Sequence, residues 1–464
     1  MNQIIESISK KSYTLTPDII LGPDGPLKDH SLTISNGTIE KISKEKPDES
    51  VDLSGYAIIP GFVDAHTHTG QTFGKALTAG EPAQIWKRIW NPMEAAHTRE
   101  TSYASAKWMF LEALRGGYTS LVNFSMNSLD LNKGVHKAVS ETGIRLVSST
   151  GLDQYYFDEN GKRVDHSFDQ VVDAINLHVA ECKGNNLLTP SVCSTSFFTN
   201  SDDTLSKLYE LCEKKDIKLQ IHSNEHFPEV HECITRFGLR PIEKLNKLNV
   251  LGKHLLIHHA TLVTDHEIEL LANSSTGVSY NPLASIWKGN SVAPALAFKE
   301  RNVTFGIGSD TTSADALKSL SAAETCQRIR HSMPVDDFSC GAAWTWTTAA
   351  SFGSAKAAGI ETKTGSLREG LAADFLILDM GKPECIPSID FEWELVRYYN
   401  RDQIVAVAIG GKPVMVNGEP IGWDADEFLK NYIEIAKSVS STSTIQRVHG
   451  KSETRRFQSS HNIL

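Results

Sequence analysis

Two histidines one residue apart, His66 and His68 in the stretch PGFVDAHTH, are residues of this sequence that could do chemistry. They follow an apolar run that is typical of a buried strand, and residues i and i+2 of a strand point to the same face. Both imidazoles could therefore hold one metal ion while Thr67 points away. The pair alone is weak evidence, because two histidines at this spacing often occur by chance.

Further residues of metal-ligating types close other apolar runs. His222 ends the run IKLQIH, and Asp310 ends VTFGIGSD. The adjacent His258 and His259 close the run HLLIHH. Imidazole nitrogens and a carboxylate oxygen suit Zn²⁺ or Fe²⁺, in contrast to the thiolate ligands common in structural zinc sites. We predict one catalytic metal ion, with water in a further position, whose protein ligands are His66, His68, His222 and Asp310.

Glu225 stands three residues after His222 in HSNEH, just beyond a predicted strand end. A metal ion lowers the pKa of its water to about 7, which makes hydroxide available at neutral pH. A carboxylate beside that water can take its proton and hand it to a leaving group. A solvated loop glutamate would look the same in isolation, so this role depends on the metal site.

The predicted ligands fall at the ends of eight short apolar runs that lie between residues 57 and 310. The runs alternate with amphipathic stretches such as SYASAKWMFLEALRGG and DDTLSKLYELCEKKD. This alternation predicts an α/β fold, a (β/α)₈ TIM barrel, whose active site lies at the carboxyl ends of its strands. The ligands therefore converge on one mouth of the barrel.

Short strands flank the barrel on both sides in sequence. Residues 1–60 contain a hairpin signal at Asn36–Gly37, and strand patterns return over residues 362–425. We expect these segments to form one small discontinuous β-sandwich module, with the barrel of residues 61–361 inserted between them. Residues 426–464 are predicted to form a C-terminal helix and a polar tail, which is mobile or ordered on a neighbouring subunit.

Composition narrows the classes of partner. The net charge of −10, from 46 basic and 56 acidic residues, argues against nucleic acid and favours a small molecule. No apolar run approaches the roughly 20 residues of a membrane helix, and the first residues lack a secretory signal pattern, so a cytoplasmic location is expected. The absence of any C-x-x-C pair excludes the zinc deaminases that carry a P-C-x-x-C motif.

These motifs together resemble the amidohydrolase superfamily, in the mononuclear-metal branch that includes cytosine, guanine and S-adenosylhomocysteine deaminases and triazine hydrolases. The resemblance spans nearly the whole chain and rests on PGFVDAHTH, HSNE, IHHATL, GSDTTSADAL and TGSLREGLAADFLILD. It implies that His259, rather than His258, orients the water and polarises the substrate, so that the catalytic residues are Glu225, His259 and Asp310. LLTPSVCS lacks the lysine of the two-metal branches, which implies one divalent metal per subunit, Zn²⁺ or alternatively Fe²⁺. A homodimer or higher oligomer is also implied.

Five further residues are expected to contact the substrate, namely Gln71, Trp86, Cys193, Tyr280 and Trp287. Gln71 and Trp86 match contact positions of the family, and the aromatic residues suit a planar ring. Cys193 and Tyr280 lie in segments where the branch usually has a histidine. This departure, with Thr311 in place of a common glycine, points away from the usual nucleoside-like or purine substrates.

The predicted reaction is hydrolytic deamination of an aminated nitrogen heterocycle or cyclic amidine, with attack by a metal-activated hydroxide and release of ammonia. Such an enzyme is a hydrolase of carbon–nitrogen bonds other than peptide bonds. The alternative on the same site is hydrolysis of an exocyclic or urea-type C–N bond, or displacement of chloride from a triazine. A non-catalytic structural relative is disfavoured, because no ligand position is missing.

Overall fold

The structure is a computed structural model that describes residues 8–81, 85–125, 128–157, 162–196, 198–337 and 341–448. It begins with five strands of a mixed sheet: β1 (Ser12–Gly22), β2 (Gly25–Lys28), β3 (Ser31–Ser35), β4 (Thr38–Ser43) and β5 (Val51–Pro60). Strands β3 and β4 form the hairpin predicted at Asn36–Gly37. Both turn residues have positive φ, 50° and 82°, as a two-residue type I′ turn requires.

The barrel follows as a parallel sheet in which sequential strands are neighbours. Its strands are β6 (Phe62–Thr67), β7 (Tyr118–Asn123), β8 (Arg145–Thr150), β11 (Leu188–Ser194), β12 (Lys218–Ser223), β13 (Leu255–His259), β14 (Gly277–Tyr280) and β15 (Phe305–Ile307). Each of them coincides with one of the predicted apolar runs. A separate antiparallel hairpin of β9 (Tyr155–Phe157) and β10 (Arg163–Asp165) was not predicted.

The barrel closes where the segment after β15 meets β6. Asp310 N donates to His66 O at 2.8 Å, and Ser309 N donates to Asp64 Oδ1 at 2.8 Å. Gly308 permits this approach, because a Cβ there would lie 2.2 Å from Asn281 Oδ1 and 2.9 Å from the His66 Cβ. The closure joins the first and last predicted ligand segments.

Helices cover the barrel between its strands. In chain order the α-helices are α1 (Asn91–Ala95), α2 (Arg99–Arg115), α3 (Leu129–Thr142), α4 (Phe168–Cys182), α5 (Asp202–Lys215), α6 (Phe227–Phe237), α7 (Pro241–Lys247), α8 (Asp265–Ser274), α9 (Pro282–Lys288), α10 (Ala295–Glu300), α11 (Ala316–Gln327), α12 (Ala343–Thr348), α13 (Ser354–Ala358), α14 (Phe391–Arg397) and α15 (Ala425–Thr442). Both amphipathic stretches singled out in the sequence are helical, as α2 and α5. Ser201 caps α5 by accepting the Thr204 N–H.

The chain returns to the mixed sheet with β16 (Phe375–Asp379), β17 (Ile404–Ile409), β18 (Lys412–Val416) and β19 (Glu419–Pro420). Strand β16 pairs with β5, so N- and C-terminal segments share one sheet. The sheet curls over its own apolar core: the Tyr13 hydroxyl donates to Gly411 O at 2.5 Å, and Thr38 pairs with Ala372. This confirms the predicted composite β module, although its two layers belong to one continuous sheet.

The domain boundaries stay a prediction. The predicted C-terminal helix is α15, and the description of the tail ends at Val448, so residues 449–464 of the predicted tail lie outside the described residues. Within the described ranges, no helix combines the length and the apolar character that crossing a membrane requires.

Candidate metal centre and active site

The predicted ligands lie together at the carboxyl ends of the barrel strands. His66 lies in β6 and His68 directly follows the end of that strand, with their ring centroids 4.8 Å apart. His222 lies in β12, and Asp310 follows β15. Candidate ligand atoms within 4.8 Å of one another form two groups that share His66: one with His222 and His259, the other with His68 and Asp310.

Left-handed backbone conformations concentrate where these strands end. Asn224, His259, Ala260 and Asp310 have φ values of 54°, 76°, 46° and 52°. Such conformations are unfavourable for residues other than glycine and persist where surrounding contacts hold them. At His259 and Asp310 the sharp bend allows the side chain to enter the barrel mouth instead of continuing the strand alternation.

Burial keeps the imidazoles neutral and thus able to bind a cation. It lowers the pKa of His68 to about 4 and that of His222 to about 3. Burial alone would raise the pKa of Asp310, but the Lys288 ammonium and the His259 imidazole hold it below its ordinary value. The centre therefore combines neutral nitrogen donors with one ionised carboxylate at neutral pH.

The geometry of the ring nitrogens fits a shared metal ion. His66 Nε2 and His222 Nε2 lie 3.2 Å apart, although neither imidazole is charged. His66 Nδ1 is buried without a hydrogen-bond partner among the described residues. Nitrogen lone pairs that converge beside a carboxylate are suited to a divalent cation. The donor set thus supports a divalent metal, as predicted.

Glu225 lies beside His259. Its Oε1 is 3.5 Å from His259 Nε2, while Asp310 Oδ2 is 4.0 Å from the same nitrogen. The Asn290 side-chain amide donates to Glu225 Oε1 at 2.8 Å. Burial would raise the pKa of Glu225, but the imidazoles of His259 and His226 hold it well below its ordinary value. The glutamate is therefore ionised and able to accept a proton.

The adjacent His258 lies elsewhere. Its ring stacks on His66 with centroids 3.7 Å apart, and its Nε2 lies 3.0 Å from Gln220 Oε1 inside the barrel. His259 is thus the member of the pair that faces both carboxylates. The catalytic roles of His259, Glu225 and Asp310 remain a prediction, but the structure brings the three side chains together.

Two of the predicted substrate contacts are buried: Gln71 in the 3-10 helix that follows β6, and Cys193 near the end of β11. Gln71 donates to Glu94 Oε1 at 3.0 Å and accepts a hydrogen bond from the Thr311 hydroxyl, next to Asp310. Cys193 is buried at the end of β11, where its thiol donates to Ser125 O at 3.1 Å. Burial raises the pKa of this thiol, so it is protonated at neutral pH.

The three predicted aromatic contacts lie away from the ligands. Tyr280 is fully buried between β14 and α11, and its hydroxyl donates to Ala323 O at 3.2 Å. Strand alternation explains this, because Ser279 takes the inward position of β14. Trp287 is 45% exposed with Lys318 Nζ 4.6 Å from its ring, and Trp86 is 36% exposed beside Lys87. The structure does not bring these three rings to the metal centre.

Other residues that the sequence analysis missed border the centre. Lys288 Nζ donates to Asp310 Oδ2 at 2.7 Å and lies 5.9 Å from the ring centroid of Trp90. The carboxyl group of Glu94 is buried beside Gln71, and burial raises its pKa to about 7. Lys288 directly follows a residue that the sequence analysis singled out, and this adjacency was the available signal. Glu94 carried no comparable signal.

Comparison with known proteins agrees with this fold. The sequence model described as the amidohydrolase family matches residues 57–420. A 5-methylthioadenosine/S-adenosylhomocysteine deaminase of Thermodesulfovibrio yellowstonii is 25% identical, over 95% of this chain and 98% of its own. A 5′-deoxyadenosine deaminase of Methanosarcina mazei is 28% identical, over 88% and 92%.

Solved structures share the fold. An adenosine deaminase from Xanthomonas campestris with bound zinc superposes with a TM-score of 0.83 at 22% identity, covering 93% of this chain and 99% of the other. A zinc complex of atrazine chlorohydrolase from Arthrobacter aurescens has a TM-score of 0.80 at 17% identity, covering 92% and 100%. The barrel with strand-end histidines is that of a metal-dependent hydrolase. The chain belongs to the amidohydrolase family, which confirms the predicted family, fold class and enzyme class.

Proposed function

We propose that this protein is a hydrolytic deaminase that replaces the amino group of a nitrogen heterocycle with oxygen from water and releases ammonia. The observation that carries the proposal is the position of His259 Nε2 between two ionised carboxylates, 3.5 Å from Glu225 and 4.0 Å from Asp310. Asp310 is a predicted metal ligand, whereas Glu225 can move protons. Deamination needs both roles.

His66, His68, His222 and Asp310 would hold the metal ion. A divalent ion bound there lowers the pKa of water to about 7 and so supplies the nucleophile. We propose Zn²⁺ over Fe²⁺, one ion per subunit, because two structural neighbours contain zinc. The pocket residues then have separate tasks in the reaction.

Glu225 accepts the proton of the attacking water at Oε1 and delivers it to the departing amine. The carboxylate is ionised before the reaction, so it can act as base first and as acid afterwards. His259 Nε2 points between the carboxylates and orients the water and the ring atom under attack. Asp310 Oδ2 adds negative charge next to the nucleophile. The same oxygen accepts a hydrogen bond from the Lys288 ammonium.

The leaving group separates this function from the alternative. An amine is a poor leaving group that requires a proton, whereas chloride departs without one. The half-buried Glu225, supported by Asn290 and His226, can carry the proton from the water to the departing amine. This favours departure of nitrogen over displacement of chloride, although solved triazine hydrolases share the fold.

We propose adenosine derivatives as the first substrate class. The relatives that match along most of their length are named as deaminases of such compounds. Gln71 and the buried Glu94 offer hydrogen-bonding groups beside the metal ligands, as a polar substrate requires. These names favour a nucleoside-like substrate over the expectation, drawn from Cys193, Tyr280 and Thr311, that such substrates are disfavoured.

The test measures three products over one panel of substrates. Zinc-loaded protein is incubated with adenosine derivatives, aminopyrimidines, amino- and alkylaminotriazines and a chlorotriazine, and ammonia, alkylamine and chloride are quantified. We expect ammonia from at least one adenosine derivative. Release of chloride or alkylamine alone, with no ammonia from any aminated ring, would overturn the proposal in favour of the alternative.

A matched pair of variants tests the proton carrier. Glu225→Gln should lower turnover by about 10²- to 10⁴-fold while metal content stays unchanged, since it removes only proton transfer. Glu232→Gln, which changes an exposed glutamate paired with Arg236 on α6, is the control and should keep full activity. Near-normal turnover of Glu225→Gln would contradict the assignment.

A further inference from the structure

The segment after β6 forms a small core with the C-terminal end of the chain. We call residues 69–81 and 85–96 the mouth segment, and residues 443–448 the C-terminal strap. An apolar cluster separate from the barrel core joins the two regions, and its buried members are Ile85, Ile89, Trp90, Met93 and Val439. Ile445 of the strap packs against this cluster. Part of the apolar burial of the mouth segment therefore depends on the C-terminus.

The buried carboxylate of Glu81 binds the C-terminal strap through hydrogen bonds. The side chain of Glu81 has no exposed surface, and its Oε2 accepts the backbone N–H of Val448 at 3.0 Å. Arg447 Nε donates to Oε1 at 3.2 Å, and Arg88 donates to Oε2 at 3.0 Å. A buried charge is costly unless ion pairs and hydrogen bonds compensate it. The strap contributes two of these contacts to a carboxylate of the mouth segment.

A backbone hydrogen bond also connects the C-terminal strap to a π-helical turn of the mouth segment. Gln446 N donates to Arg88 O at 2.9 Å, and the Arg88 guanidinium donates back to Gln446 O at 2.9 Å. Arg88 belongs to the π-helical turn Trp86–Trp90. Such turns are rare and frequently mark functional sites. A strap residue thus satisfies a carbonyl group of this irregular turn.

The mouth segment also borders the metal centre. Glu94 and Gln71 are hydrogen bonded to each other, and Gln71 accepts the Thr311 hydroxyl beside Asp310. Trp90 lies beside Lys288, whose ammonium is bonded to Asp310. A continuous series of contacts therefore leads from the strap through Glu81 and the π-helical turn to the substrate side of the centre.

We infer that the C-terminal strap holds the mouth segment in place, and that Arg447 and Glu81 are positioning residues for substrate binding. This inference rests on the proposed function for the claim that the substrate binds on this side. The strap contacts neither the metal ligands nor Glu225 within the described residues. Its loss should therefore weaken substrate binding and leave metal binding and the chemical step nearly unchanged.

Two truncations of the chain test the inference. A chain that ends at Thr442 lacks the strap, whereas a chain that ends at Val448 keeps it and is the matched control. We expect the shorter chain to show about tenfold faster amide hydrogen exchange in the mouth segment. Its KM should rise about tenfold while kcat changes less than about threefold. Metal content should equal that of the full chain, and the control should match the full chain throughout.

A substitution in the full-length chain covers the case that truncation prevents folding. Arg447→Met should raise hydrogen exchange in the mouth segment and the KM, and Arg447→Lys should restore both in part, because a cation then remains opposite Glu81. Unchanged exchange in the mouth segment, or an equal increase in the barrel strands, would overturn the inference. Hydrogen exchange and metal content need no substrate, so absence of deaminase activity in the full chain would count against the proposed function and not against the strap.

Discussion

Two buried histidine clusters in the described part of the chain differ in where they lie. The metal centre joins residues at the ends of four strand segments around the barrel mouth. The second group, which we call the helix cluster, consists of His136 on α3 with His178 and Cys182 on α4, and its candidate ligand atoms also lie within 4.8 Å of one another. By proximity and residue type alone the two clusters look alike.

Their surroundings distinguish them. In the helix cluster, His178 Nε2 donates to Ser148 O at 2.8 Å, and His136 Nε2 lies 2.8 Å from Ser148 Oγ. Burial raises the pKa of Cys182 to about 12, so its thiol stays protonated. The metal centre instead has an ionised Asp310 and ring nitrogens that face one another. The metal centre therefore differs in having a carboxylate among its candidate ligands, whereas those of the helix cluster are two imidazoles and a protonated thiol.

Removing one candidate ligand from each cluster should give the largest difference between the two clusters. Asp310→Asn should weaken metal binding more than about 100-fold, because it removes the anionic ligand, and should abolish turnover. Cys182→Ser should leave metal content at one ion per subunit and activity unchanged. Elemental analysis after dialysis checks both variants, and metal lost equally from the two would show that the helix cluster also binds.

Removing the positive charge of Lys288, next to Asp310, should have an intermediate effect. The Lys288 ammonium occupies the position opposite Asp310 Oδ2 and repels an incoming cation. Lys288→Met should therefore tighten metal binding about tenfold in competition with a chelator. Lys318→Met, which changes a lysine on the ring of Trp287, is the control and should leave the affinity unchanged. Weaker metal binding by Lys288→Met would contradict the repulsion.

Acid should destabilise the metal-free protein through both clusters. Burial holds the folded-state pKa of His68 and of His136 at about 4, below the ordinary 6.5. The unfolded chain therefore binds more protons below pH 6.5, and the free energy of unfolding falls as the pH decreases from 6.5 to 4. The loss approaches about 3 kcal/mol per histidine at pH 4.

Urea unfolding of the metal-free protein at several pH values measures this loss. His136→Gln should flatten the pH dependence without changing the metal content of the loaded protein, because the predicted ligands lie outside the helix cluster. A pH-independent free energy of unfolding between pH 6.5 and 4 would show that these imidazoles are protonated in the folded state.

The sequence predicted the parts of the site that regular structure positions. Apolar runs identify the strands, and a barrel brings the ends of its strands to one mouth. The sequence therefore sufficed to predict that His66, His222 and Asp310 lie close together. The orientation of Tyr280 could not be predicted, because β14 is buried on both faces and its short apolar run does not reveal which of two adjacent residues points inward.

Residues on irregular segments could not be placed in this way. Trp86 lies in a π-helical turn, and Trp287 and Lys288 lie on the short helix α9. Tertiary packing, including that of the C-terminal strap, decides which side chain of such a segment faces the site. A single lysine or glutamate has no periodic pattern, so Lys288 and Glu94 became apparent only from the folded arrangement.

The central claim is that three imidazoles and Asp310 converge on one divalent ion. Crystals of the zinc-loaded protein, with anomalous diffraction measured on both sides of the zinc absorption edge, test it directly. The account predicts one anomalous peak per subunit, about 2.0–2.2 Å from nitrogen atoms of His66, His68 and His222 and an oxygen of Asp310. A peak at the helix cluster instead, or none among these four residues, would contradict it.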